Sequence, residues 1–198
     1  MVDGLTSRLR GDVSVLWFDE YYHDLVHLSP EQRAAVNFDH PDSLDEVLLI
    51  EHLDGLLAGR PVDVPVYDFA THTRTGLTRR VEPRPVVVVD GILVLAVPAL
   101  RSRLDLAVFV DAPAEVRLAR RMYRDVRERG RTTASVRAQF EATVAPMHEA
   151  FVDPSAEHAD LRLDGTGDLD ANLDVVADAV DRLHVGTRPN GLRESGPR

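Results

Sequence analysis

The chain has 198 residues, 44% hydrophobic and 28% charged, with a formal net charge of −10. That length suits one domain with a substantial core, and the acidic balance excludes broad nucleic-acid binding, which needs a basic face. Cysteine is absent, which excludes disulfides and thiolate metal sites, and with no membrane-length apolar run and no signal-peptide pattern the default expectation is a cytoplasmic location.

Val2 to Arg10 has the helical spacing of Val2, Leu5 and Leu9 but no cap ahead of it. It reads as the back half of a helix, closed by Gly11-Asp12. Val13 to Phe18 is a short apolar strand with Asp19 at its end. Ser29-Pro30-Glu31-Gln32 predicts a helix start, with Ser as cap and Pro at the first helical position. A second helix is predicted from about Ser43 to Ala58, with Leu44, Val47, Leu48, Leu53, Leu56 and Leu57 on one side and Gly59 ending it. Val62 to Phe69 is extended, but Pro65 restricts it to an edge strand or a loop. Thr71 to Pro83 reads as a polar hairpin around Thr75-Gly76.

Pro85 to Leu95, PVVVVDGILVL, is the stretch around which the chain is organised. Four consecutive valines predict a strand buried on both faces, because a half-buried strand alternates with polar residues. Leu104 to Val110 is another apolar run, closed by Asp111. Ala114 to Arg129 predicts a strongly basic helix, Thr133 to Val144 a further helix, Asp160 to Leu163 a weak last strand, and Leu169 to Leu183 an amphipathic helix. Residues 1–184 thus form one domain, and the Gly, Pro and Arg content from 185 to 198 suggests a disordered tail. Strands alternating with helices predict an α/β fold, a parallel sheet covered on both faces, with 62–83 as a small β insertion near the ligand.

Four places carry chemistry. Asp90 ends the valine strand, and a carboxylate there faces the crevice where open α/β sheets bind ligands. In nucleotide-dependent kinases such an acid positions Mg²⁺; the plainer alternative is an Asp-Gly turn. Asp19 is either a general base towards a hydroxyl or a surface loop acid. In Asn37-Phe38-Asp39-His40-Pro41, Asp39 suits the vicinal hydroxyls of a ribose, unless Asp39 or Asp42 merely caps the next helix. Finally, RLARRMYRDVRERGR at 117 to 131 puts Arg117, Arg120, Arg121 and Arg124 on adjacent helix faces. Such a single-sign cluster calls for an anion, and arginine forms bidentate contacts with phosphate. Gly130 supplies a bend, as in a lid. The alternative is a solvated face whose charge Glu115, Asp125 and Glu128 partly offset.

Asp19 with Tyr21-Tyr22, NFDHP at 37–41, PVYDF at 65–69 followed by His72 and Arg74, VVDGIL at 88–93 and RRMYRDVRERGR at 120–131 together resemble the uridine kinase (uridine–cytidine kinase) family. The match runs in order from about Val2 to Leu163. The resemblance implies a P-loop kinase fold and phosphoryl transfer from ATP or GTP, with Mg²⁺, to the 5′-hydroxyl of uridine or cytidine, as in pyrimidine salvage. It implies small-molecule partners, a nucleoside and a nucleoside triphosphate, and a homo-oligomer. Asp19 would be the base, and Asp39 would hold the ribose, with Arg121 and Arg131 nearby. Tyr67 and Phe69 would flank the pyrimidine, and His72 would read its edge. Arg124 and Arg129 would stabilise the transferring phosphoryl group, Gln139 would contact substrate, and Asp90, where the family more often has Glu, would serve the metal. The family opens with a strand and a Gly-Lys-[Ser/Thr] phosphate loop. All 23 basic residues here are arginine and none is lysine. The expectation is therefore that this first strand and loop are missing, leaving the chain inactive as it stands and the Val13 to Phe18 and Val86 to Val89 strands exposed. The alternatives are a non-catalytic nucleoside-binding or regulatory protein and another small-molecule kinase of the phosphoribulokinase type.

Overall fold

The computed structural model of the chain describes residues 1–9, 11–128 and 130–186. Helix α1 (Val2–Arg8) is followed by Gly11, whose φ of 78° lets the chain turn into strand β1 (Val13–Trp17). Helix α2 (Pro30–Ala34) starts as its sequence predicts. The Ser29 side chain accepts from the Gln32 backbone N–H, and Gln32 answers by accepting from the Ser29 N–H. Helix α3 (Glu46–Leu57) starts later than expected because Asp45 is its cap, accepting from the Leu48 N–H. Asp39 and Asp42 do not cap it. Leu49, Leu53 and Leu56 of α3 are buried, each contributing roughly 1.5–3 kcal/mol of transfer free energy.

Strands β2 (Val62–Asp68) and β3 (Thr73–Val81) form an antiparallel hairpin whose connection is 69–72. The Thr71 to Pro83 hairpin is thus corrected. Thr75-Gly76 lies within β3, where the pairing slips between Pro65 and Tyr67 and Gly76 takes a φ of 78°. The Gly signal marked a strand irregularity, not the turn.

Strand β4 (Val86–Asp90) runs parallel to β1, in register from Val13↔Val86 to Trp17↔Asp90. Helix α4 (Pro98–Arg101) leads to β5 (Val108–Asp111), which starts four residues later than its apolar run. Helix α5 (Ala114–Glu128) precedes α6 (Thr133–Gln139). From α6 the chain stays helical through a wide π segment at Phe140–Val144, α7 (Ala145–Met147), a second π segment at His148–Val152 and α8 (Asp153–Ser155). Strand β6 (Leu161–Asp164) pairs parallel with β5, from Val108↔Leu161 to Asp111↔Asp164. Helix α9 (Leu169–Gly186) carries the chain two residues past the expected end of the domain, and the expected tail beyond it lies outside the described residues. So does Arg129.

The molecule is α/β with parallel strands, but among the described residues these form two separate ribbons, β1–β4 and β5–β6. Both line one apolar cavity of about 440 Å³ with Val86, Val88, Leu106, Val108, Val176 and Val180 on its walls. This corrects the reading of β4 as buried on both faces. Val86 to Val89 are half-buried, because one edge of the strand pairs with β1 while the other borders the cavity. In β1 only the alternate Ser14 and Leu16 are buried. The larger core lies around β1, α3 and the hairpin, with Leu16, Phe18, Tyr21, Leu49, Val64 and Leu100 at its centre. The smaller one joins α1 to α9 through Leu5, Leu173, Val176 and Val180, and Arg8 bridges Asp170 and Asp174 across its rim.

Candidate active site

Trp17 of β1 and Asp90 of β4 are register partners, so two parallel strands end side by side. A 3₁₀ turn at Phe18–Tyr21 then brings Asp19 beside Asp90. Both acids are reached by solvent. The surrounding walls nevertheless push the Asp90 carboxyl above its ordinary range, and repulsion from Asp19 adds to this. Gly91 permits the approach: a Cβ there would lie 2.2 Å from Phe18 Cβ. Its φ is not in the left-handed region, so the glycine of the Asp-Gly pair serves packing and not a turn. Among the described residues no group of three or more His, Cys, Asp or Glu gathers as a metal cage. Two carboxylates at a crevice fit Mg²⁺, which takes few protein ligands and completes its shell with water and phosphate.

Asp39 is 9% exposed, and Nη1 of Arg121 lies 3.8 Å from its carboxylate. Burial pushes its carboxyl above the usual range, Arg121 opposes this and Asp125 adds to it. Beside it the rings of an aromatic cluster meet. Tyr22 packs edge-on against Phe38 and Tyr67 at 5.2 and 5.5 Å, and Tyr67 against Phe69 at 5.3 Å. Burial first, then Asp39, Asp19 and Tyr67, push the Tyr22 phenol up. Tyr22 therefore stands where the acids and the aromatic cluster adjoin. His72, in the left-handed region at φ 55°, stacks on Phe38 at 4.6 Å. Burial pushes the Tyr67 phenol up to about 12, and its hydroxyl is buried with no hydrogen-bond partner among the described residues. An unsatisfied buried hydroxyl costs roughly 1–3 kcal/mol, which a polar ligand atom would recover.

The hairpin that carries these rings is fastened at three points. Arg74 donates to the Tyr22 carbonyl at 3.1 Å and to Asp45 Oδ2 at 3.0 Å. Arg79 pairs with Glu20 at 2.7 Å. Arg33 of α2 donates to the Thr71 carbonyl at 2.7 Å, so a correctly capped α2 holds the turn before His72.

Apart from Arg127, which contacts Tyr123, the described arginines from 117 to 131 fall into two sets. Arg117 donates to the Ala112 carbonyl and Arg120 to the Gly165 carbonyl, both near the ends of β5 and β6. Arg121, Arg124 and Arg131 converge instead on Asp125, which is fully buried. The Gln139 side-chain oxygen accepts from Arg121 at 3.2 Å and from Arg131 at 2.5 Å. The structure thus gathers Asp39, Arg121, Arg131 and Gln139 on one side, with Arg124 held through Asp125. Sequence reasoning missed Phe38 and Tyr22 as members of the aromatic cluster, although both stand inside the stretches it singled out. It weighed Asp125 only as charge compensation, since nothing in a run of charges reveals which one is buried.

Among the described residues no helix is long and apolar enough to cross a membrane. The family model for the phosphoribulokinase / uridine kinase family matches residues 4–171. A uridine kinase of Chloroflexus aggregans is 49% identical over 182 residues, 91% of this chain and 87% of that one. A uridine kinase of Klebsiella pneumoniae is 46% identical over 149 residues, 75% of this chain and 70% of that one. Among solved structures, a putative fructose transport system kinase from Silicibacter sp. TM1040 superposes with a TM-score of 0.58 at 19% identity, covering 76% of this chain and 74% of that one. A D-glycerate 3-kinase from Cryptococcus neoformans gives 0.56 at 18%, over 76% and 73%. These two likenesses concern the fold.

Proposed function

The chain belongs to the phosphoribulokinase / uridine kinase family, and from that premise we propose that it is a nucleoside kinase. It transfers the γ-phosphoryl group of ATP or GTP to the 5′-hydroxyl of uridine or cytidine. The observation that carries the reading is Asp39: a buried carboxylate next to the Tyr22, Phe38 and Tyr67 rings, beside Arg121. A carboxylate accepts from two vicinal hydroxyls at once, and aromatic walls suit a pyrimidine. This pairing favours a nucleoside over a sugar phosphate.

Asp19, at the end of β1, orients the 5′-hydroxyl and accepts its proton. Tyr67 and Phe69 line the base with Phe38, and His72 and the unsatisfied Tyr67 hydroxyl address its polar edge. Arg121 and Arg131 steady the ribose side, with Gln139 holding both. Arg124, and Arg129 from outside the described residues, meet the charge on the transferring group, which is how phosphoryl transfer is mainly catalysed. Asp90 would hold Mg²⁺, which when bound neutralises the phosphates of the donor. None of the 198 residues is lysine, so within them arginine supplies the cations that meet phosphate.

Calorimetric titration of the 198-residue chain tests the nucleoside site directly. Uridine or cytidine binds, and ribulose 5-phosphate does not; failure of both nucleosides to bind sinks the reading. In a form that carries a Gly-Lys phosphate loop and turns over ATP and uridine, Asp19→Asn lowers kcat by about 10²–10⁴, the worth of a positioned base, with little change in uridine affinity. An unchanged kcat removes Asp19 from that role.

A further inference from the structure

We propose that Asp125 is the positioning residue of the substrate-facing arginines, Arg124 at the phosphoryl group and Arg121 and Arg131 beside it on the ribose side, a role that rests on the nucleoside kinase reading and extends it. The carboxylate is fully buried on α5. Its Oδ1 accepts from Arg124 Nε at 3.0 Å, and its Oδ2 lies 3.5 Å from Arg131 Nη1 and 3.6 Å from Arg121 Nε. Its backbone carbonyl also accepts from the Arg131 N–H at 3.2 Å. Arg121 is one helical turn before it, Arg124 adjacent, and Arg131 beyond the bend at Gly130, where φ is 62°. One side chain therefore sets guanidinium groups from the helix and from the segment after it. Arg124 remains half exposed on its side chain while its Nε is fixed by Asp125.

The charge balance shows that neutralisation alone is not the role. Among the described residues three guanidinium groups face the carboxylates of Asp125 and Asp39, an excess of positive charge suited to an anion. A freely mobile arginine loses several rotatable bonds when it grips phosphate; one already held loses less, and its hydrogen bonds come preoriented. Removing Asp125 has opposite consequences under the two accounts. If the carboxylate only tempers positive charge, its loss strengthens phosphate binding. If it positions the arginines, its loss weakens phosphate binding although the site has become more positive.

Uridine and uridine 5′-monophosphate are the probes, titrated into the 198-residue chain and into Asp125→Asn. In the parent chain the monophosphate binds more tightly than uridine. In D125N that advantage falls about tenfold or more, the weight of one charge-assisted hydrogen bond, while uridine affinity, which rests mainly on Asp39 and the aromatic rings, falls less. Asp125→Glu retains the charge but displaces it, and it loses the advantage as well. An unchanged or larger monophosphate advantage in either variant overturns the proposal. If the parent chain binds neither compound, the nucleoside reading itself fails and takes this one with it; if it binds uridine without any monophosphate advantage, only this one fails. Should neither variant fold, the parent chain still decides: Arg124 Nε–H gives a resolved, slowly exchanging NMR signal at neutral pH, and a fast-exchanging one overturns the assignment.

Discussion

The role proposed for Asp39 sets function against stability at a single residue. Its carboxyl is raised by burial more than Arg121 lowers it, so the folded state binds a proton more readily than the unfolded chain. Its stabilising contribution is therefore complete below the ordinary carboxylate value of 3.8 and is lost as pH rises through the raised folded value. At neutral pH the ionised group is a net cost. Asp39→Asn thus raises Tm at pH 7, and this gain shrinks as pH falls through the raised folded value towards 3.8. In the same variant uridine affinity drops tenfold or more, because an amide cannot accept from two hydroxyls as a carboxylate does. Melting curves across pH and a titration at neutral pH check both halves; a lower Tm at pH 7 would show that the Arg121 pair outweighs burial. Asp39 was legible in the sequence because a carboxylate inside Asn-Phe-Asp-His-Pro is chemically conspicuous. Asp125 was not, since exposure among many charges is a property of the fold. The rotation of α5 that sends Arg117 and Arg120 to other carbonyls was equally hidden.

Elements were legible where a local device specifies them and obscure where a distant contact does. The capping box at Ser29 is written in four residues and forms as read. The strand ahead of Asp19 and the one ahead of Asp90 follow from their apolar runs. The hairpin turn was misplaced because Gly76 bears a positive φ inside a strand, a distinction only the β2 pairing makes. The helix predicted to end at Val144 continues through 145–158, an extension that escaped prediction because Pro146 and Pro154 are poor interior residues for a regular helix. Two π segments in this helical run replace the regular hydrogen-bond ladder. Gly91 belongs to the same category: a turn glycine by sequence, a close-approach glycine by structure. A methyl at this position would overlap Phe18 Cβ, so Gly91→Ala forces the ends of β1 and β4 apart. The expected cost is about 1–3 kcal/mol of stability, as for other overpacked sites. Under the proposed reading uridine affinity, assigned to Asp39 and the aromatic cluster, changes little, whereas turnover falls with the displacement of Asp90 from Asp19. Denaturant melts together with separate kcat and affinity measurements test this; a variant of parental stability would mean that the strand ends yield freely.

At the scale of the whole molecule, the alternation of strand and helix was legible, and so was the placing of acids at strand ends. The division of the parallel strands into two ribbons was not, since pairing partners are not written in composition. Its consequence is physical. The cavity between β4 and β5 holds about 440 Å³ and is walled mainly by valine and leucine. Space of that size with apolar walls forfeits dispersion contacts on both sides and offers water few hydrogen bonds. The strand edges along it are also unpaired with each other among the described residues, a condition that invites association of chains. Asp90 lines one part of the space, so filling it at residues whose side chains are apolar should help the fold. Val88 of β4 and Val108 of β5 both line it, and Val88→Leu with Val108→Phe adds bulk from the two strands. We expect this pair to raise stability by about 0.5–2 kcal/mol, the usual return from cavity filling. It should also reduce binding of an apolar dye such as anilinonaphthalene sulfonate to the native chain and shift sedimentation towards the smaller species at high concentration. Uridine affinity should stay as it is. A loss of stability would show that the walls already meet in solution and that the two ribbons close on each other.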